Sequence, residues 1–271
     1  MGSGIAETAA VNGFDVVLRS RSRSTADATL AAMEKSLNRQ IEKGKLTEAE
    51  RDKAMSRVSG TSDLGALKDV DLVIESVVEE LGVKKDLFAE LDSICKPETI
   101  LATNTSTLPV VEMAMATGRP DLVCGIHFFN PAPAMALVEV VRPITAGEAT
   151  MAAAIAFAAA CGKDPVEVKD QAGFIVNALL FPYLNNAVRL LEQGVANKEG
   201  IDAAMKGGCG FPMGPFALLD LVGLDTSLAI LDALYDEYRD PNYAAVPLLR
   251  RLVTSGQLGR KTKKGFYDYN R

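Results

Sequence analysis

A single histidine, His127, is all that 271 residues provide, and that scarcity argues against a histidine-rich metal site. The four cysteines, Cys95, Cys124, Cys161 and Cys209, stand far apart and form no Cys-x-x-Cys pair. Neither a bound metal nor a redox motif is expected from them, only buried free thiols. Basic residues are outnumbered, 29 Lys and Arg against 35 Asp and Glu, which leaves a net charge of -6. With no basic cluster beyond short stretches, no nucleic-acid partner is expected. The longest purely apolar run, Met151 to Cys161, is mostly alanine and falls short of the roughly 20 residues that a membrane span requires. The start shows neither a charged segment leading into an apolar one nor the Ser or Thr of a myristoylation signal. The expectation is a cytoplasmic protein with no membrane partner.

What is present is the composition of an ordinary folded protein, 48% hydrophobic and 24% charged. Over the first two thirds, short β-branched runs alternate with helical stretches, the pattern of a parallel sheet covered by helices. Strands are expected at Phe14 to Leu18, Asp71 to Glu75, Thr99 to Ala102, Val123 to His127 and Leu137 to Val141, with a shorter one at Val166 to Val168. Leu30, Met33, Leu37 and Ile41 repeat at helical spacing, in a helix read as starting after Ser24 with Asp27 three residues on. A second helix should be capped by Thr47 with Glu50. After Asp170 the alternation stops, and amphipathic helices separated by Gly and Pro signals take over. The chain therefore divides into an α/β domain over residues 1–170, of the doubly wound Rossmann type, and an all-helical domain over 171–271.

Polar residues gather where such a sheet places its ligands, directly after strands. Gly2, followed by a helix and a strand ending near Ser20, fits either the last glycine of a dinucleotide-binding turn or an ordinary helix start built from small residues. Asn104-Thr105-Ser106 follows one strand. His127, at the end of another, fits either a hydrogen-bonded structural residue or a proton carrier titrating near neutrality.

Taken together, Asn104-Thr105-Ser106, His127-Phe128-Phe129-Asn130-Pro131, Leu137-Val138-Glu139-Val140 and Gly173-Phe174-Ile175-Val176-Asn177, in this order, resemble the 3-hydroxyacyl-CoA dehydrogenase family. The likeness continues through Pro212-Met213-Gly214-Pro215 and Asp220 to Asp225, as far as Gly265-Phe266-Tyr267-Asp268-Tyr269. It implies that His127 is the acid/base residue and that Glu139 orients its ring and stabilises the imidazolium. It implies also that Ser106 and Asn177 hydrogen-bond the substrate, Asn177 from the helical domain across an interdomain cleft, and that Glu79, Lys84 and Asn104 lie near the cofactor. The substrate would be an acyl-CoA, the short 3-hydroxybutyryl-CoA and acetoacetyl-CoA pair first. Arg39, Lys43 and Lys45 would lie near the coenzyme A phosphates. The helical domains would pair into a homodimer through Phe181 to Leu191 or Pro212 to Leu224. The alternatives are a dehydrogenase of another hydroxy acid or hydroxyacyl-CoA on the same scaffold, and a noncatalytic structural relative.

Two departures from the family pattern stand out. Where the strand from Phe14 should end in a carboxylate for the NAD ribose, there is Ser20, flanked by Arg19 and Arg21 with Arg23 close by. Such a cluster can accept a 2′-phosphate, so the cofactor is NADP or NAD with a lean to NADP. The family also places a hydrophobic strand and two glycines ahead of the residues matching Met1 and Gly2. In an order 3-2-1-4-5-6 that strand lies mid-sheet, so a groove one strand wide is expected between the strands at Phe14 to Leu18 and Asp71 to Glu75.

Overall fold

The computed structural model describes residues 1–270, which form two compact units, Met1–Asp170 and a second one that begins at Gln171. In the first, α1 (Gly2–Val11) leads into β1 (Val16–Arg19), α2 (Arg23–Glu42), α3 (Glu48–Ser56) and β2 (Val58–Thr61). Then follow β3 (Leu72–Glu75), α4 (Leu81–Ile94), β4 (Ile100–Thr103), α5 (Val110–Ala114), β5 (Val123–Phe128), β6 (Leu137–Arg142), α6 (Glu148–Ala160) and β7 (Asp164–Lys169). This is the expected Rossmann-type architecture.

The capping box at Thr47 and Glu50 forms as its sequence demands, with Glu50 N donating to Thr47 Oγ1 at 3.2 Å and Thr47 N to the Glu50 carboxylate at 2.8 Å. The start of α2 differs from the expectation. Its cap is Ser22, extended and accepting from Thr25 N at 3.2 Å, while Asp27 turns instead to Arg23 Nε at 2.9 Å. Met33 and Leu37 of α2 bury with Ala10 of α1 and Ala54 of α3, beside Val16 and Val58. β2 went unforeseen because Val-Ser-Gly-Thr carries almost no β signal; it forms by pairing in parallel with β1, from Val16 opposite Val58 to Arg19 opposite Thr61.

The remaining strands make a sheet in the order β3-β4-β5-β6-β7. Its centre packs on α1 and α6 through Ile5, Ile126, Phe128, Val138, Val140, Met151 and Ala154. The sheet is parallel, as the pattern implied, except that β5 and β6 run antiparallel. The eight residues between them are too few for a parallel crossover, which needs a dozen or more.

The second unit consists of α7 (Val176–Glu192), α8 (Lys198–Cys209), α9 (Pro215–Val222), α10 (Leu224–Tyr238) and α11 (Pro247–Thr254) around Phe181, Leu184, Phe216, Leu219, Leu231 and Leu234. Its final residues are pinned by Asp220, whose carboxylate accepts from the amides of Phe266 and Tyr267, each at 2.8 Å. Among the described residues, no helix is long and apolar enough to cross a membrane.

β1 and β3 do not pair. A groove of about 1250 Å³ lies between them, walled by Val16, Leu18 and Arg19 on one side and by Leu72, Ile74 and Ser76 on the other. Two strand edges thus lack ladder partners, and each buried backbone group left unpaired costs about 1 to 3 kcal/mol. Joining a β-branched strand of about six residues, with a glycine turn, ahead of α1 should raise the denaturation midpoint and tighten dinucleotide binding. Equal midpoints and equal dinucleotide affinity with and without the added strand would refute the pairing argument.

Candidate active site

The antiparallel register sets His127 of β5 directly opposite Glu139 of β6. Nδ1 of the imidazole lies 2.8 Å from Glu139 Oε2, with His127 4% and Glu139 1% exposed. A carboxylate on Nδ1 fixes the tautomer and directs proton exchange through Nε2. Phe129 packs on the imidazole, ring centroids 4.6 Å apart. Gly125 sits opposite Val141 in the same ladder, where a β-carbon would come within 2.7 Å of the valine side chain. The two strands approach this closely only because that position has no side chain. The loop joining them is held by the buried Lys163, whose Nζ donates to the carbonyls of Ala132 at 2.7 Å and Met135 at 2.9 Å. Burial pushes the Lys163 ammonium below its usual range.

Beside this pair, the C-terminal ends of β3 and β4 carry the second polar group. Asn104, just past β4, takes Phe128 N on its Oδ1 at 2.8 Å and donates its own amide to Glu75 O at 2.8 Å. It thereby ties the ends of three strands together, a structural task beyond its expected place near the cofactor. Glu79 accepts from Ser106 N at 2.8 Å and from Thr105 Oγ1 at 2.5 Å. Lys84, buried in α4, is 3.2 Å from Glu79 and 2.8 Å from Glu75. The sequence reading named Glu79, Lys84, Asn104 and Ser106 but passed over Glu75 and Thr105. The only signal for Glu75 was a carboxylate ending the apolar strand Leu-Val-Ile-Glu. Asn177 is buried on α7, in the helical unit.

The residues flanking the groove fit a dinucleotide. No side chain caps α1, which leaves the amides of Gly2 and Ser3 for an anion, while Gly4 N donates to Met1 O at 2.9 Å. The buried Arg19 Nε and Ser76 Oγ, at the ends of β1 and β3, have no hydrogen-bond partner. Ser20 closes β1 with its amide on Thr61 O at 2.9 Å, and Arg21 beside it is exposed. Arg23 is committed to Asp27 and to Gly60 O. No cluster of His, Cys, Asp or Glu able to hold a metal occurs among the described residues.

With this geometry in view, comparison with known proteins places the fold. The model of the 3-hydroxyacyl-CoA dehydrogenase NAD binding domain matches residues 1–171, and that of the C-terminal domain matches residues 173–269. The chain belongs to the 3-hydroxyacyl-CoA dehydrogenase family. It is 49% identical to a 3-hydroxybutyryl-CoA dehydrogenase of Clostridioides difficile, covering 100% of this chain and 96% of that one. Among solved structures it is similar to the (S)-3-hydroxybutyryl-CoA dehydrogenase PaaH1 of Ralstonia eutropha, with TM-score 0.97, 42% identity and coverage of 100% and 96%. The M. tuberculosis protein FadB2 is alike at TM-score 0.97 and 46% identity, with coverage of 99% and 95%.

Gly125→Ala should force β5 and β6 apart and destabilise the chain by about 1 to 3 kcal/mol, as overpacking does, with a fall in turnover as His127 leaves Glu139. Urea denaturation and steady-state rates check this, and an alanine variant of unaltered midpoint and rate would count against a tight β5–β6 approach.

Proposed function

We propose that this chain interconverts (S)-3-hydroxyacyl-CoA and 3-oxoacyl-CoA with a nicotinamide dinucleotide, and that 3-hydroxybutyryl-CoA and acetoacetyl-CoA are its substrate pair. The observation that carries the reading is the buried His127–Glu139 pair at the strand ends. The names of the relatives, 3-hydroxybutyryl-CoA dehydrogenases over nearly the whole chain, support the four-carbon substrate.

In the direction of oxidation, His127 takes the proton of the 3-hydroxyl through Nε2, and Glu139 offsets the positive charge that forms on the ring. The bound dinucleotide supplies the other half of the reaction by accepting a hydride, or giving one in the direction of reduction. The Ser106 hydroxyl and the Asn177 amide hydrogen-bond the substrate, and Glu79 holds the backbone from which Ser106 projects. Gly2, Ser20, Arg21, Glu79, Lys84 and Asn104 are the residues proposed around the dinucleotide. A homodimer is proposed through the helical unit, where the exposed Leu190 and Leu221 fall within the two expected stretches.

In the strand-extended chain, His127→Gln should lower kcat by about 10² to 10⁴ while dinucleotide affinity, read by fluorescence titration, stays nearly constant. Glu139→Gln should lower kcat as well. Near-normal turnover of the glutamine variant at His127 would end the acid/base assignment.

The cofactor preference follows from charge at the end of β1. Ser20 and the exposed Arg21 offer a 2′-phosphate a hydroxyl and a cation where a carboxylate would repel it. NADPH should therefore serve at least as well as NADH, and Ser20→Asp should move the preference toward NADH. A tenfold advantage of NADH in kcat/KM, about 1.4 kcal/mol, would contradict this.

A further inference from the structure

The polar residues behind Ser106 form a single chain of contacts whose innermost member has so far had no role. Glu75, the last residue of β3, is 4% exposed. Its carboxylate accepts from Val77 N at 2.5 Å, from Thr103 Oγ1 at 2.8 Å, and from Lys84 Nζ at 2.8 and 2.9 Å on its two oxygens. Lys84 is 1% exposed and reaches Glu79 Oε2 at 3.2 Å. Glu79, with a side chain 40% exposed, is the member that emerges from the interior, and its other oxygen holds Thr105 Oγ1 and Ser106 N.

An ammonium cannot stay in an apolar interior without a partner, because burying an unpaired charge costs several kcal/mol. Glu75 supplies that partner on the inner side. Lys84 is then held between two carboxylates, one rigid on a strand end with four hydrogen bonds and one on the Val77–Glu80 loop. The rigid one determines where the ammonium sits, and the ammonium determines where Glu79 can lie. Without Glu75, Lys84 would turn toward solvent, and Glu79 would lose the fixed charge that aims it at Thr105 and Ser106.

We infer that Glu75 is a positioning residue for the substrate: through Lys84 it fixes Glu79, and through Glu79 it fixes the backbone that presents the Ser106 hydroxyl. This rests on the proposed role of Ser106 as a substrate-binding group. Glu75 itself touches no substrate, so its effect on acetoacetyl-CoA binding passes through residue 106, whereas an effect on the dinucleotide would pass through Glu79 and Lys84 and be indifferent to Ser106.

The test is a double-mutant cycle in the full chain, with kcat/KM for acetoacetyl-CoA and its dissociation constant by calorimetry, supported by thermal melts. Glu75→Gln should lower kcat/KM and weaken acetoacetyl-CoA binding by on the order of 10-fold to 100-fold, as misplacement of a positioned group does. In the Ser106→Ala background the same change should cost less than about twofold. If Glu75→Gln fails to fold, the variant E75Q/K84M removes both charges together, which is often near neutral for stability, and in the acetoacetyl-CoA dissociation constant it should show the same loss and the same dependence on Ser106. Equal losses with and without Ser106, or wild-type kinetics in E75Q, would overturn the inference. A silent S106A on its own would remove the proposed role of Ser106, whereas a damaging S106A with fully additive E75Q would remove only the role of Glu75.

Discussion

The site depends first on a backbone constraint, the antiparallel pairing of β5 with β6. Eight residues are enough to turn the chain back and too few to carry it over the sheet, so the two strands must run in opposite directions. Once they do, register alone puts His127 against Glu139, and glycine at 125 lets the strands close to the distance that a 2.8 Å contact requires. His127 and Glu139 form a cross-strand pair, held by the β5–β6 ladder on both sides. It needs no flexible loop to bring it together.

Around that pair the interior stores charge only where charge is answered. Glu75 and Lys84 neutralise each other, and Lys163 spends its donors on two carbonyls of the β5–β6 loop. A well-packed apolar replacement for a buried ion pair is often no less stable, so stability alone does not explain why such groups are here. Their common feature is position. Each is tied to a strand end or loop next to His127 or Ser106, where a fixed orientation matters more than a fraction of the folding energy. The helical unit uses carboxylates differently. Burial holds the Asp220 carboxyl above its usual range against the pull of two backbone amides and the Tyr269 hydroxyl, and its work is to anchor the last residues of the chain.

Six of the seven strands and the Thr47 cap were readable in the sequence because each rests on a local signal: a β-branched run bounded by polar residues, or a threonine with glutamate three residues on. β2 was not readable, since Val58 to Thr61 becomes a strand only by pairing with β1. The cap of α2 is Ser22 rather than the expected Ser24 because the Ser22 hydroxyl reaches Thr25 N while Asp27 pairs with Arg23, a matter of side-chain geometry rather than residue type. For the site, the family resemblance named His127, Glu139, Ser106, Glu79 and Lys84 as candidates, yet the tie from Glu75 to Lys84 spans nine residues and an element boundary. No periodicity marks such a contact; it exists because β3 ends where the first turns of α4 pass.

The division of the strands also divides the chemistry. His127, Glu139, Ser106, Asn104 and the Glu75–Lys84–Glu79 chain all belong to the five-stranded sheet, its loops and the first turn of α4, while Ser20 and Arg21 belong to the end of β1 and the loop after it, across the groove. Groups within one sheet keep their spacing through continuous ladders. Groups on opposite sides of the groove keep theirs through packing instead, by α1, which contacts β1 and the five-stranded sheet, and by the turn at Leu64–Leu67, which contacts β1 and α4. A strand that filled the groove would therefore act most on the distance from Ser20 to the His127–Glu139 pair. The hydrogen bonds within the five-stranded sheet would be left nearly unchanged. On this arrangement, the span across the groove is the one most sensitive to a strand that fills it, and the spacings among Ser106, His127 and Glu139 are the least sensitive.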